Sequence, residues 1–198
     1  MSGERNFTLR AATQRDASDL VVLIDIASRG LLTALWGGFA DPGQSALEVG
    51  RERIRHRTDL PSHVSNWQVA EARGEIIGGY AGYAVPSPYD PGDVGGLPDF
   101  YRPMLELEAL AAGTWHLISL AVYPSARNRG IGGRLLEHAA GTARGAHCSA
   151  MTIMANSANA GACRLYLRRG FVETARRPSV PFHGSSDRGD WILFSGAC

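Results

Sequence analysis

The stretch WHLISLAVYPSARNRGIGGR, from Trp115 to Arg134, decides the fold predicted for this chain. Its first part, residues 115–122, is apolar and β-prone, which is the pattern of a buried strand. A connector with one proline follows, and a glycine-rich turn begins at Arg129. Apolar residues then recur at helical spacing, namely Leu135, Leu136, Ala139, Ala140 and Ala143. The stretch therefore predicts a strand, a tight turn and a helix that begins at the glycines.

The predicted turn has the chemistry of an anion-binding site. The first turn of a helix leaves backbone N–H groups unpaired and carries the positive end of the helix dipole. The glycines of Gly130-Ile131-Gly132-Gly133 have no Cβ atom to hold a ligand away from those groups. Arg127, Arg129 and Arg134 add positive charge, so residues 127–134 are predicted to form a cradle for a pyrophosphate. On the glycines alone, a tight turn that needs glycine only for its backbone angles is an equal alternative.

Two common nucleotide-binding motifs are excluded by the spacing. The dinucleotide motif Gly-x-Gly-x-x-Gly requires a glycine at position 135, which is Leu135 here. A P-loop requires Gly-Lys-Ser/Thr, and this chain contains no lysine.

The hexamer from Arg127 to Gly132, Arg-Asn-Arg-Gly-Ile-Gly, resembles the Arg/Gln-x-x-Gly-x-Gly/Ala signature of the GNAT N-acetyltransferase superfamily. Upstream, Leu120-Ala121-Val122 is similar to the family's strand that holds the pantetheine arm. Downstream, the chain resembles the family's Asn-x-x-Ala-x-x-Leu-Tyr…Gly-Phe segment. The matching positions are Asn159, Ala162, Leu165, Tyr166, Gly170 and Phe171. Together the two motifs cover roughly residues 115–175 in the family's order and spacing.

The resemblance implies a GNAT fold of the α/β class, in which a mixed central sheet with two splayed central strands carries helices on both faces. It implies a single domain over residues 1–198 and acetyl-CoA as the co-substrate. The pyrophosphate would bind the cradle, Arg127-Asn128-Arg129-Gly130-Ile131-Gly132-Gly133-Arg134. The pantetheine arm would bond the main chain of Leu120, Ala121 and Val122. Positions Asn159, Ala162 and Tyr166 would also contact the cofactor.

Two side chains are candidates for proton transfer. Tyr166 matches the family's general-acid tyrosine, although a packed aromatic is the alternative. His116 lies eleven residues before Arg127, where similar acetyltransferases carry a catalytic Glu or His. An imidazole, with an unperturbed pKa of ~6.5, can accept a proton at neutral pH. A buried histidine bonded to a neighbour is an equal alternative, and Glu106, Glu108 or a water are the other candidate bases.

Composition limits the classes of protein. The chain has 198 residues, 44% of them hydrophobic, which suits one domain with a substantial core. Its net charge of +1 argues against nucleic acid as the main partner. Three cysteines, Cys148, Cys163 and Cys198, form no CxxC or His/Cys cluster, so neither a disulfide framework nor a metal site is expected. The start has no apolar signal region and no apolar run is long enough to cross a bilayer, so we expect a cytoplasmic protein without a membrane partner.

Two apolar or proline-rich segments bear on the acceptor. Trp36 and Phe39 are either core residues, which is the commoner case, or the lining of an acceptor pocket. Residues 86–103, PSPYDPGDVGGLPDFYRP, are either a surface insertion or a lid over the acceptor amine. The lid would use Tyr89, Phe100 and Tyr101 as contacts. Its acidic residues, which would favour a cationic acceptor, are Asp90, Asp93 and Asp99.

The segment Leu105–Leu110, LELEAL, fits either a short helix or an alternating edge strand. Glu106 and Glu108 would share one face only in the strand.

The sequence therefore predicts an acyltransferase, namely an N-acetyltransferase that moves the acetyl group of acetyl-CoA directly to a primary amine in a ternary complex. The alternatives are a non-catalytic acyl-CoA sensor and an acetyltransferase for a protein N-terminus or lysine. The acceptor is expected to be a small molecule, and the sequence does not identify it. Members of the family often dimerise through their late strands, so a homodimer is also an expectation.

Overall fold

The computed structural model describes residues 7–92, 94–185 and 189–198; Asp93, one acidic residue of the predicted lid, lies outside them. The strands are β1 (Thr8–Ala11), β2 (Trp67–Ala72), β3 (Glu75–Ala84), β4 (Trp115–Val122), β5 (Ala150–Asn156), β6 (Val172–Pro178) and β7 (Asp190–Ala197). The helices are α1 (Ala17–Ser28), α2 (Leu31–Gly37), α3 (Ala46–His56), α4 (Arg102–Ala109), α5 (Ile131–Gly145) and α6 (Ala160–Arg168).

The strands form one sheet in the order β1-β2-β3-β4-β5-β7-β6. Strands β4 and β5 are parallel, whereas β1–β2, β2–β3, β5–β7 and β6–β7 are antiparallel. This mixed sheet with its helices confirms the predicted α/β fold.

Backbone contacts divide the chain into two compact units, each made of two separate segments. The first contains residues 7–82 and Ser119–Ala139, and the second contains Tyr83–Ile118 and Ala140–Cys198. Strands β3 and β4 and helix α5 each run through both units. The expectation of a single domain stays a prediction.

In the first unit, tight approaches of β3 to its neighbours require glycine. A Cβ atom on Gly78 would lie 2.7 Å from the Ala121 carbonyl oxygen of β4, and one on Gly79 would lie 2.9 Å from the Gln68 carbonyl oxygen of β2. The β2–β3 turn at Arg73-Gly74 has two left-handed residues, with φ of 57° and 82°, as expected for a two-residue hairpin. These glycines thus serve a hairpin turn and close backbone approaches.

Helices cover both faces of β3. On one face, the Leu23 side chain of α1 would be 3.3 Å from a Cβ atom on Gly79. On the other face, the Tyr80 hydroxyl is hydrogen-bonded to His138 Nδ1 of α5 at 2.8 Å. Because consecutive strand residues point to opposite faces, α1 and α5 lie on opposite sides of the strand.

The apolar segment 31–39 is divided between core and surface. Trp36, on α2, is 2% exposed and faces the backbone of Gly50 on α3, so it belongs to the core. Phe39 is 41% exposed, and the Arg53 guanidinium lies 4.8 Å from its ring centroid. The preference for a core position is therefore confirmed for Trp36 and wrong for Phe39, which lies just beyond the end of α2.

In the second unit, the ambiguous segment around Leu105 is the helix α4. Pro103 lies in its first turn, where a missing N–H group costs nothing. Glu106 is exposed and paired with Arg177, whereas Glu108 is half-buried and bonded to Tyr83. The two carboxylates therefore have separate environments, as a helix dictates.

Within the described residues, no single helix is long and apolar enough to span a membrane. Segments 14–28 and 31–37 reach that length and apolarity only together, across a bend of 117°.

Packing of Trp36 on Gly50 generates a stability prediction. Gly50→Ala should lower the free energy of unfolding by ~1–3 kcal/mol, because the added methyl group would overlap the Trp36 ring. The matched control is Gly141→Ala, in an exposed part of α5. There the nearest atom to an added Cβ is Arg144 Nη2 at 3.7 Å. Helix propensity alone then predicts a gain of up to ~1 kcal/mol.

Urea unfolding of both variants, followed by circular dichroism, measures the two changes. Equal stabilisation by the two substitutions would contradict the packing of Trp36 on Gly50.

Candidate cofactor and catalytic sites

The cradle lies in the first unit, where β4 leads into α5. Pro124–Ala126 form one 3-10 turn, and Asn128 and Gly130 then adopt left-handed backbone angles, with φ of 62° and 79°. Left-handed residues in such a turn direct successive N–H groups into a concavity that suits an anion. Helix α5 begins at Ile131, next to the predicted start.

Three backbone N–H groups of α5 face the end of the helix. The ladder of helical hydrogen bonds starts with the Arg134 N–H, which donates to the Gly130 carbonyl at 3.2 Å. The preceding groups, on Ile131, Gly132 and Gly133, have no acceptor one turn earlier within the helix. They also carry the positive end of the helix dipole. The cradle can therefore donate several hydrogen bonds to one anionic ligand.

The arginines of the cradle are exposed and held against nearby groups of the first unit. Arg127 Nε donates to the Val122 carbonyl at 3.1 Å, and Arg129 Nη2 donates to the Ser125 carbonyl at 2.9 Å. The Arg134 guanidinium lies 4.2 Å from the centroid of the Phe7 ring. These contacts hold the three guanidinium groups around the helix start.

The backbone of β4 offers polar groups at alternate residues. The Tyr123 N–H donates to the Ile77 carbonyl of β3 at 3.0 Å, and the Ala121 carbonyl points at Gly78 of the same strand. Because backbone polar groups alternate in direction along a strand, those of Leu120 and Val122 point to the opposite edge of β4.

In the second unit, the pairing of β4 with β5 is short. It joins Trp115, His116 and Leu117 to Met151, Thr152 and Ile153. It does not extend to the next residues, Ile118 and Met154. This early end of the pairing fits the splayed central strands that the fold class implies.

His116 is buried on β4 and belongs to a chain of hydrogen bonds inside the second unit. Its Nδ1 lies 2.9 Å from Thr152 Oγ1, which lies 2.8 Å from Thr114 Oγ1. The Thr114 hydroxyl donates to the Ala111 carbonyl at 2.7 Å. None of these polar partners is charged.

This chain of hydrogen bonds determines the tautomer of His116. A carbonyl can only accept, so the Thr114 hydroxyl donates its single proton to the Ala111 carbonyl. Thr114 must therefore accept from Thr152. The Thr152 hydroxyl in turn donates its proton to Thr114 and must accept from the imidazole. His116 therefore carries its proton on Nδ1, and Nε2 has the lone pair that can accept another.

Burial keeps His116 neutral. Removal from water disfavours the imidazolium and lowers the pKa of His116 from 6.5 to about 4. No charged neighbour opposes this effect.

Tyr166, on α6, is 4% exposed and packs against two aromatic rings of the second unit. Its ring centroid is 6.1 Å from that of Phe171 and 5.8 Å from that of Phe194. Burial, with a smaller contribution from Cys163, raises the pKa of Tyr166 well above its usual value. Its hydroxyl forms no hydrogen bond with any residue that the structure describes, so it is a protonated donor without a protein acceptor.

Asn159 caps α6. Its side chain accepts from the Ala162 N–H at 3.2 Å. The cap therefore uses the Ala162 N–H.

Three features of this region carry no signal in the sequence. Thr152, on β5, bonds His116, and Thr114, just before β4, bonds Thr152. In the first unit, Ser119 of β4 is buried, and its hydroxyl has no hydrogen-bond partner in the described part of the chain. Tyr83 and Tyr89 both bond to Glu108, which had been considered only as a base. None of these contacts joins residues close in sequence, so no local pattern signals them.

A polar cavity of about 480 Å³ in the first unit contains neither the cradle nor a candidate catalytic residue. Its charged walls are largely paired. Arg10 binds Asp16 at 2.8 Å, and the Tyr123 hydroxyl donates to Asp19 at 2.8 Å. Across the described residues, no group of His, Cys, Asp and Glu is placed to hold a metal ion.

Comparison with known proteins identifies the family of this chain. A family model described as "Acetyltransferase (GNAT) family" matches residues 32–171 of this chain. No curated protein sequence matches significantly.

Solved structures share the fold at low sequence identity. An N-acetyltransferase from Staphylococcus aureus Mu50 is 15% identical, with a TM-score of 0.64 over 96% of this chain and 100% of that one. A ribosomal-protein-alanine N-acetyltransferase from Brucella melitensis is 21% identical, with a TM-score of 0.61 over 96% and 99%. A putative acetyltransferase from Salmonella typhimurium, with its cofactor acetyl-CoA, is 21% identical, with a TM-score of 0.56 over 97% and 94%.

The buried imidazole generates a prediction about acid stability. Because the pKa of His116 is lower in the folded than in the unfolded chain, the unfolded state binds more protons between pH 6.5 and about 4. The free energy of unfolding should therefore fall as the pH drops through this window, by on the order of 3 kcal/mol from His116 alone.

Chemical unfolding of the wild-type protein and of His116→Gln, at pH about 7 and about 4.5, isolates this contribution. The loss on acidification should be smaller in His116→Gln, whereas His183→Gln, at an exposed site, should retain the full loss. Identical losses in all three proteins would show that His116 is not buried in its neutral form.

Proposed function

Because the chain belongs to the GNAT family of acetyltransferases, we propose that it transfers the acetyl group of acetyl-CoA directly to a primary amine. The observation that carries the proposal is the cradle, in which a left-handed turn leads into the N–H groups of Ile131, Gly132 and Gly133, which have no acceptor within the helix. The two phosphates of coenzyme A are the anion that this family places at such a helix start.

The diphosphate is proposed to accept from those N–H groups and from the arginines of the cradle. Arg127 uses one donor on Val122, and a guanidinium carries five. Arg129 lies in the turn before α5, and Arg134 lies in the first turn of α5. Asn128 contributes its left-handed backbone, because asparagine tolerates this conformation better than most residues.

The pantetheine arm is proposed to pair with β4 as an added strand would. Leu120 and Val122 supply the backbone groups that point away from β3, whereas the Ala121 carbonyl points at β3. On α6, Asn159, Ala162 and Tyr166 are the proposed contacts from the family motif. The cap bond between Asn159 and Ala162 leaves the Asn159 Nδ2 group as the donor for the arm.

The transfer itself needs no covalent enzyme intermediate. The amine nitrogen attacks the thioester carbonyl carbon, the C–S bond breaks, and the acetyl group remains on nitrogen as an amide. One proton leaves the amine and one is added to the departing thiolate. A base and an acid complete this balance.

Tyr166 is the proposed acid and His116 the proposed base. The Tyr166 hydroxyl stays protonated because burial raises its pKa, so its proton is available to the thiolate. The His116 imidazole stays neutral because burial lowers its pKa, and the Thr152–Thr114 bonds leave Nε2 as the accepting nitrogen. Both groups are thus held in the protonation state that their roles require.

The cradle generates a binding prediction. Gly130→Val should weaken acetyl-CoA binding about ten-fold or more, because a β-branched residue disfavours the left-handed angle and crowds the N–H groups. The matched control is Gly74→Val, which places a valine at a position of the β2–β3 turn with a similar left-handed angle, φ 82°.

Calorimetric titration with acetyl-CoA measures both variants, and the Gly74→Val protein should retain the wild-type affinity. Equal weakening in the two would indicate general destabilisation. Absence of heat with the wild-type protein would remove the proposed function altogether.

Removal of the acid generates a kinetic prediction. Tyr166→Phe should lower kcat about a hundred-fold, the usual contribution of a positioned acid, while the affinity for acetyl-CoA is kept. Release of coenzyme A thiol, with a panel of small amines and peptides as acceptors, measures turnover.

His116→Ala should remove the acidic limb of the pH profile of kcat/KM that the wild-type protein shows.

Unchanged turnover in Tyr166→Phe would exclude the phenol as the acid, and an unchanged acidic limb in His116→Ala would assign the base elsewhere. Binding of acetyl-CoA without thiol release from any amine would favour a sensor over an enzyme.

A further inference from the structure

A carboxylate in the second unit is held by two tyrosine hydroxyls. Tyr83, at the end of β3, donates to Glu108 Oε1 at 2.6 Å. Tyr89, in the segment that follows β3, donates to Glu108 Oε2 at 3.0 Å. Each carboxylate oxygen therefore has one phenol donor, and Glu108 has a fixed orientation on α4.

The negative charge of Glu108 is not neutralised by the described part of the chain, where no arginine or histidine forms an ion pair with it. Glu106, two residues earlier on the same helix, differs in this respect because Arg177 Nε lies 2.6 Å from its Oε2. Glu108 is half-buried, so its charge is partly withdrawn from water without a protein cation in exchange.

The two phenols remain donors at any ordinary pH. Burial first, and then the Glu108 charge, raise the pKa of both Tyr83 and Tyr89 well above the usual value. Tyr101 acts on both phenols in the same direction, and so does Asp90 on Tyr89. The surroundings of these groups are thus aromatic and negative.

The carboxylate has capacity for a further partner. Two oxygens offer about four lone-pair positions, and the phenols occupy two of them. An ammonium or guanidinium group would supply N–H donors for the remaining positions and the missing positive charge. The tyrosine rings add the faces on which cations bind in proteins.

We propose that Glu108, Tyr83 and Tyr89 form a subsite for a cationic group of the acceptor, so that the preferred acceptor is an amine with a second positive charge. The inference rests on the proposed acetyl transfer and names the class of its substrate. The attacking amine must be neutral to react, whereas this carboxylate suits a group that stays charged. Glu108 thereby has a binding role, distinct from the role of base considered from the sequence.

The segment around the subsite supports the same substrate class. Asp90 makes it acidic, whereas Asp99 is paired with Arg102 at 3.0 Å. The Phe100 ring lies 5.2 Å from the Phe182 ring, centroid to centroid. The segment that carries Tyr89 is therefore anchored at its far end. A cation at Glu108 would lie among fixed side chains, which lowers the entropic cost of binding.

The test compares two acceptors that differ only in charge: the diamine putrescine and the amino alcohol of the same chain length. Glu108→Gln keeps the shape of the side chain and removes its charge. It should raise KM for putrescine about ten-fold or more, the effect of losing one charge-assisted hydrogen bond, with kcat little changed. KM for the amino alcohol should stay within about two-fold of the wild-type value. Glu106→Gln, whose carboxylate is exposed, is the control and should change neither.

Two results would overturn the subsite. The first is an unchanged KM for putrescine in Glu108→Gln. The second is an equal rise in KM for both acceptors, which would show that Glu108 only stabilises the segment after β3.

Calorimetry with putrescine, in the presence of coenzyme A without its acetyl group, separates this inference from the proposed function. Heat that appears with the wild-type protein and disappears in Glu108→Gln supports the subsite even if no thiol is ever released. No heat with the wild-type protein, when the amino alcohol is still acetylated, rejects the subsite and leaves the transferase standing.

Discussion

The constraint on which the proposed chemistry depends is that the first N–H groups of α5 have no acceptor within the helix. Every helix begins with such groups, and in helices α3 and α6 a side chain satisfies one of them. Ser45 accepts from Glu48 at the start of α3, and Asn159 accepts from Ala162 at the start of α6. Helix α5 starts from Gly130, which has no side chain to offer, so a phosphate would take the place that a capping residue holds in α3 and α6.

Burial controls both candidate catalytic groups, and it acts on them in opposite directions. It lowers the pKa of His116 and raises that of Tyr166, because in each case the charged form is the one that suffers from loss of water. Both groups are consequently neutral at rest. The threonine chain adds what burial alone does not decide, namely which nitrogen of the imidazole is able to accept.

Local signals account for what the sequence predicted. The glycines near residue 130 and the apolar helical pattern after them involve residues close in the chain, so spacing reveals them. The segment around Leu105 was ambiguous because its alternating leucines fit both a strand and a short helix, and Pro103 favours the helix start. Glu108 acquires its partners from positions 83 and 89, and His116 from position 152, through packing that no local pattern encodes. The family resemblance supplied the cofactor, while the subsite around Glu108 depends on the side-chain contacts in the structure.

The interleaving of the two units has a consequence for synthesis on the ribosome. Strand β3 leaves the first unit at Gly82, and the chain returns to it only at Ser119. That unit lacks its last segment until Ala139 has emerged, although its three N-terminal helices are complete by residue 56. During synthesis, the core of the first unit therefore stays incomplete while residues 83–118 of the other unit are translated. In that interval chaperones have access to the apolar surface of the incomplete core.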